Sequence, residues 1–210
     1  CAEKHKGETN VSHEYYIVGA RDRFEALKRI LDSLPGVYGI LFCRTRIETQ
    51  KVADMLKQSG YDTEALHGDI NQNMRTKIMD RFKRKHIRLL VATDVAARGI
   101  DVNDLTHVIN YNLPDQNETY THRSGRTGRA SKSGVSITIV TPREAAVIRR
   151  LEAMIGKTFE KKVIPSGDDV IRKQIDSYIE EIAETDISHI ENDKYMLAVV
   201  ESLKKNKKND

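Results

Sequence analysis

Three arginines recur every third position in HRSGRTGR (122–129): Arg123, Arg126 and Arg129, with Gly125 and Gly128 between them. On a helix this spacing puts Arg126 and Arg129 on one face, with His122 a turn earlier. A guanidinium presents a planar fork of donors that matches two phosphate oxygens and stays charged at any working pH. A surface cluster of ion pairs is the competing reading. The interleaved glycines favour phosphate, because a solvated cluster has no need of bare backbone. A second stretch, ATDVAARGID (92–101), carries Gly99 between Arg98 and Asp101. Bare backbone at Gly99 allows close approach to a ligand. The arginine suits a phosphate and the carboxylate a sugar hydroxyl. Taken alone, this stretch reads equally well as an ordinary strand-to-helix turn.

The elements that must carry these residues are legible. YGILFC (38–43), IRLLVAT (87–93), THVINYNL (106–113) and VSITIVT (135–141) are short, nearly continuous apolar runs of the kind buried on both faces of a parallel sheet. Weaker strand signals lie at 13–18 and 61–67. Helical patterns at 21–34, 46–59, 71–86, 116–124 and 142–155 alternate with them. Capping-box spacing opens three of these helices, at Thr45…Glu48, Asp115…Glu118 and Thr141-Pro142…Glu144. Repeated strand and capped helix predict a doubly wound parallel α/β sheet. In such sheets ligands meet the loops at the carboxyl ends of the strands, where Thr93 and Asp94 fall.

Together these stretches resemble the DEAD-box RNA helicases. HRSGRTGR and ATDVAARGID look like that family's motifs VI and V, ILFCRTR (40–46) like motif IV, and LHGDINQNMR (66–75) like motif IVa. VINYNLP (108–114) sits where the family has a similar strand. The order and spacing match over residues 11–165. His122 and the wording of motif V favour this branch over DNA-translocating relatives. The resemblance implies a three-layer RecA-like fold and, specifically, the second of the family's two RecA-like domains. No P-loop precedes a helix here: at Gly156-Lys157-Thr158, position 151 is Leu rather than the required Gly. That triplet is predicted to end a helix at Gly156.

The resemblance further implies roles. Arg126 and Arg129 match the arginine fingers that reach ATP, with Mg²⁺, held by an N-terminal RecA-like domain. Gly99 and Asp101 match positions near the nucleotide, and His122 a position coupling the two domains. Thr45, Arg46, Gly68, Asp69, Gln72, Arg75, Thr93 and Arg98 match positions along the RNA backbone, with Asp69 expected to contact through its main chain. Arg123 fits either an ion pair or a ligand contact. The whole protein is then an ATP-dependent RNA helicase, and this stretch alone is inactive. A non-catalytic RNA- or protein-binding module retaining the fold is the alternative.

Of the 210 residues, 31% are charged and 39% hydrophobic. Residues 1–165 hold 28 basic against 20 acidic side chains, whereas 166–202 hold 3 against 10. This asymmetry divides the chain into a linker (1–10), a basic domain (11–165) and an acidic helical extension (166–210). In the extension, Ser166…Asp169 is predicted to cap a helix whose Ile171, Ile175, Tyr178 and Ile182 form one apolar stripe. A second helical stretch is predicted from Tyr195 to Leu203. The stripe suits packing on its own domain or, alternatively, a homodimer or partner surface. Two cysteines, Cys1 and Cys43, with no metal-ligand spacing point to no metal site and to a reducing cytoplasm. No apolar run reaches the roughly 18 residues of a membrane span.

Overall fold

The computed structural model describes residues 10–100, 102, 105–128, 133–184, 198 and 201–202. It divides into two compact units, residues 1–28 with 36–164 and residues 29–35 with 165–210.

The larger unit is built on seven parallel strands: β1 (Val11–Ile17), β2 (Gly39–Phe42), β3 (Thr63–Leu66), β4 (Leu89–Ala92), β5 (His107–Asn110), β6 (Gly134–Val140) and β7 (Glu160–Lys162). Their order, β3-β4-β2-β5-β6-β1-β7, is that of a doubly wound RecA-like sheet. Helices fill the crossovers: α1 (Arg23–Asp32), α2 (Arg46–Gln58), α3 (Gln72–Lys83), the single turn α4 (Asp94–Ala97), α5 (Asn117–Ser124) and α6 (Ala145–Ile155). Alternation within the strands explains the layering. Ile40, Phe42, Leu90, Ala92 and Val108 join Ile78 and Phe82 of α3 and Ala96 and Ala97 of α4 in one core. The intervening Leu41, Leu89, Val91 and Ile109 are also buried, on the opposite face of the strands, and α2 packs along β3 and β4 with Val52, Ala53 and Leu56 buried. Burial on both faces is why these strands read as continuous apolar runs.

Of the three capping boxes, one forms as predicted. The Thr45 hydroxyl accepts the Glu48 amide at 3.2 Å. At Thr141, the Glu144 carboxylate accepts the Thr141 amide at 2.8 Å, but the helix starts only at Ala145. Burial acts to raise the Glu144 pKa; the Thr141 bonds and Arg23 outweigh it and hold the carboxyl below its ordinary value. Asp115 is not the N-cap: it pairs with Arg44 at 3.2 Å, and Gln116 precedes α5 without a side-chain cap. Gly156 ends α6 in the left-handed conformation, φ 72°, and Lys157 reaches the Val11 carbonyl, so the Gly-Lys-Thr triplet is a helix stop. Two elements had no sequence signal. β7 is three polar residues on the sheet edge, and α4 is too short to show a period.

In the smaller unit, α7 (Gly167–Glu184) opens with the predicted reciprocal cap. The Ser166 amide donates to the Asp169 carboxylate at 2.9 Å, and the Asp169 amide returns to the Ser166 hydroxyl at 3.2 Å. Gln174 donates to the Asp32 carbonyl at 3.3 Å. The stripe Ile171, Ile175, Tyr178 and Ile182 is exposed along α7. The predicted linker up to residue 9 and most of the second helical stretch lie outside the described residues, though Ala198, Glu201 and Ser202 are helical. Among the described residues no helix is long and apolar enough to cross a membrane.

Candidate functional site

The carboxyl ends of β4, β2 and β5 lie side by side, and the residues that follow them build the site. After β4, the Thr93 hydroxyl accepts the Ala96 amide at 3.3 Å and starts α4. That helix stops after one turn because Arg98 is extended and Gly99 adopts φ 77°. A side chain at Gly99 would meet open space, so the backbone there is accessible.

After β5, α5 is anchored by Tyr120, which is fully buried. Its hydroxyl bonds His13 Nδ1 and the Ser136 hydroxyl, both at 2.9 Å. Burial keeps this network neutral, lowering the His13 pKa to about 4 with help from Lys157 and raising the Tyr120 pKa to about 12.

One turn further along α5, Arg123 enters the sheet's edge with 2% of its side chain exposed. Its Nε and Nη2 donate to the two Asp94 carboxylate oxygens at 2.6 and 2.7 Å. Nη1 donates to Asn110 Oδ1 at 3.0 Å and the Asn112 carbonyl at 2.8 Å. The guanidinium carbon lies 4.8 Å from the centre of the Phe42 ring. A buried cation is tolerable when it is paired and its donors are filled, and here both conditions hold. Arg123 is therefore a structural ion pair, one of the two roles open to it from sequence.

The chain then turns at Gly125, and Arg126 Nη1 donates to the Ile100 carbonyl at 3.0 Å. The Thr127 hydroxyl donates to the Leu105 carbonyl. Three braces, Arg123–Asp94, Arg126–Ile100 and Thr127–Leu105, thus tie the loop after β4 to the turn after α5. Gly128 has φ 67°, and a Cβ there would lie 2.5 Å from Val11 Cγ2. Its role is to let β1 pass, so the glycine reflects packing and not ligand access.

These elements surround a cleft of about 680 Å³ lined by Arg44, Thr93, Asp94, Arg98, His122, Arg123 and Arg126 among others. The charges are unevenly spent. Asp94 neutralises Arg123, whereas the Arg98 and His122 side chains are exposed and bond no side chain or carbonyl among the described residues. Arg126 is half-buried, held from one side by Ile100. Asp101 and Arg129 lie outside the described residues. Arg44, absent from the sequence-derived site, also faces the cleft, held by the Leu113 carbonyl at 3.2 Å and by Asp115. Its place directly after the apolar run 38–43 was the available signal, since strand ends face the ligand.

The remaining predicted positions lie in a second depression of about 560 Å³ or beside it. Arg46 and Asp69 line it and form an ion pair, both side chains largely exposed. The Asp69 carboxylate is thereby paired with a cation. Thr45 caps α2, Gly68 is exposed, and Gln72 opens α3. Arg75 reaches the Ala96 carbonyl at 2.7 Å and braces α4 from the other side. Cys43 is free and buried, and burial pushes its thiol well above the ordinary range, so it is not a reactive group. No cluster able to hold a metal ion is present among the described residues.

A parallel RecA-like sheet with several cations around the cleft at its strand ends defines a phosphate-recognising α/β domain. Residues 22–131 match the helicase conserved C-terminal domain, and the chain belongs to that family, in its DEAD-box branch. It is 37% identical over 195 residues to the DEAD-box ATP-dependent RNA helicase CshA of Bacillus subtilis, covering 93% of this chain and 39% of the relative. The chain thus spans well under half the length of the curated relatives it matches. A DEAD box protein from Methanococcus jannaschii is 45% identical, with a TM-score of 0.67, over 73% of this chain and 42% of that one. Dbp5 of S. cerevisiae, bound to RNA and ADP BeF3, is 26% identical with a TM-score of 0.72, over 81% of this chain and 45% of that one.

Proposed function

We propose that this chain is the second half of an ATP-dependent RNA helicase, supplying arginines to ATP held by a preceding RecA-like domain and part of the RNA-backbone surface. The braced presentation of Arg126 beside Arg98 and His122 in one cleft carries the reading. ATP's terminal phosphates fit these residues: several cations line the cleft, bare backbone is exposed at Gly99, and the Asp94 carboxylate is already neutralised by Arg123. Arg126, with Arg129, stabilises charge that spreads over the transferring phosphoryl group, an effect worth roughly 10³–10⁵ in rate. By its place in the sequence Asp101 is assigned to the ribose, and His122 to relaying closure between the domains. Mg²⁺ belongs with the P-loop domain, since the described residues offer it no carboxylate cluster. Thr45, Arg46, Gly68, Asp69, Gln72, Arg75, Thr93 and Arg98 follow the RNA backbone, so binding is largely independent of sequence and weakens with salt.

Coupling follows from shared contacts. ATP and RNA each touch both domains, each favours the closed cleft, and each therefore strengthens the other's binding. Hydrolysis removes the phosphate bridge and reopens the cleft. In the full-length enzyme, Arg126→Ala is expected to abolish RNA-stimulated ATP turnover while nucleotide still binds. Turnover within a few-fold of the parent sinks the assignment, as does ATP hydrolysis by these 210 residues alone. The exposed stripe on α7 supports a second copy of the chain as a partner. Sedimentation that gives a monomer at all concentrations removes that part.

A further inference from the structure

The opposite end of the sheet carries a cationic patch that the cleft does not use. α3 ends at Lys83, and the connection into β4 presents Lys83, Arg84, Lys85, His86 and Arg88, all exposed, with Ile87 buried between them as the anchor. Asp80 is the one acidic residue between Lys77 and Arg88, and Arg81 is already paired with Glu64 at 2.9 Å. Glu64 also holds Lys57 at 2.6 Å. Lys83, Arg84 and His86 make no ion pair among the described residues.

The backbone adds an independent observation. Lys85 has φ 59°, and no other described residue except glycine has a positive φ. It closes the helix as a Schellman turn, with the Lys85 amide donating to the Phe82 carbonyl and the His86 amide to the Arg81 carbonyl, each at 2.9 Å. Glycine is the usual residue at this position, because any Cβ is strained there. The Lys85 Nζ lies 5.6 Å from the centre of the Tyr38 ring, whose hydroxyl is fixed to the Phe82 carbonyl at 2.9 Å. The helix dipole favours cations in the last turn, which accounts for Lys83 and Arg84. It does not account for a lysine at a position where glycine is easier.

We infer that residues 83–88 form a second RNA-phosphate site, which holds the strand after it leaves the cleft. The inference rests on the proposed RNA-helicase function. Gln72 opens α3 and Lys83 ends it, about 17 Å of helix along which a bound strand can run. The chemistry favours RNA over a protein or a membrane surface. No large apolar residue is exposed between Arg75 and Asp94, whereas protein hot spots and membrane-seated helices need one.

The test measures binding of the 210-residue chain to a fluorescent single-stranded RNA across a salt series. Lys85→Gly is expected to raise the denaturation midpoint yet weaken RNA binding roughly two- to tenfold at low salt, a divergence no folding defect can produce. The triple variant Lys83→Gln/Arg84→Gln/Lys85→Gly should weaken binding at least tenfold. It should also make the log–log salt slope shallower by about 2, as expected for three lost single-strand phosphate contacts. Unchanged affinity and slope in the triple variant overturn the patch alone, since the cleft residues remain. Polyglutamate that binds the patch as tightly as RNA at matched charge overturns the choice of ligand. No RNA binding by the parent chain overturns both this site and the function it rests on.

Discussion

Replacing Arg123 with alanine removes a cation that is 2% exposed and donates four hydrogen bonds to Asp94, Asn110 and Asn112. Loss of one partner of a buried ion pair typically costs about 3–5 kcal/mol. Asp94 is about one-third exposed, so water can take over its carboxylate. That places the expected loss near the lower end, about 3 kcal/mol, with the Asn110 side chain left short of a donor. Asp94→Asn keeps the shape but leaves a buried guanidinium without its counter-charge, and should cost about 3–5 kcal/mol. In the double variant the losses should fall short of their sum by about 1–3 kcal/mol, since each single change already breaks the pair. Against a total stability of about 5–15 kcal/mol these are large effects. Urea denaturation of the chain followed by circular dichroism measures all three. Arg126→Ala, by contrast, removes a half-buried side chain and should cost about 1 kcal/mol. An Arg123→Ala variant within about 0.5 kcal/mol of the parent refutes the structural role. Equal losses at 123 and 126 refute the division of labour between them.

Gly128→Ala puts a Cβ 2.5 Å from Val11 and 3.0 Å from the Asn10 carbonyl at φ 67°, and is expected to destabilise by about 2–3 kcal/mol, read from the shift in denaturation midpoint. His13 and His107 are each lowered from 6.5 to about 4, by burial first and, for His13, by Lys157 as well. Between these values the unfolded chain binds the protons that the folded chain refuses. Stability is therefore fully present above pH 6.5 and falls as pH drops toward 4, by about 2 kcal/mol per histidine at pH 5. A flat stability profile over that range contradicts the burial of these rings, and His13→Gln should remove about half of the slope. Asp69→Ala frees Arg46 from its ion pair, so RNA affinity at low salt should rise two- to threefold; a weakened affinity shows the carboxylate itself to be needed.

The alternation of strand and helix, and the position of the strand ends, were open to sequence because burial on both faces forces continuous apolar runs and helices need caps at fixed spacing. The cap at Thr45 and the stop at Gly156 are local, governed by a few neighbouring backbone groups, and both formed as read. Asp115 shows the limit: its spacing suits a cap, but Arg44, 71 residues earlier in the chain, lies close enough to take the carboxylate instead. The same limit divided the arginine triplet. Identical side chains three residues apart carry no mark of which will be buried. Only the crossing of β4, β2 and β5 set Asp94 and two asparagine acceptors around Arg123 and left Arg126 at the rim. Gly128 looked like room for a ligand and proved to be room for β1, because bare backbone looks the same in sequence whichever atom approaches it. Residue types and their periods determined the sheet and the edge where its ligands meet it. Which charges are consumed inside the fold and which remain to act was decided by contacts between segments far apart in the chain, where desolvation makes every buried cation demand its partners.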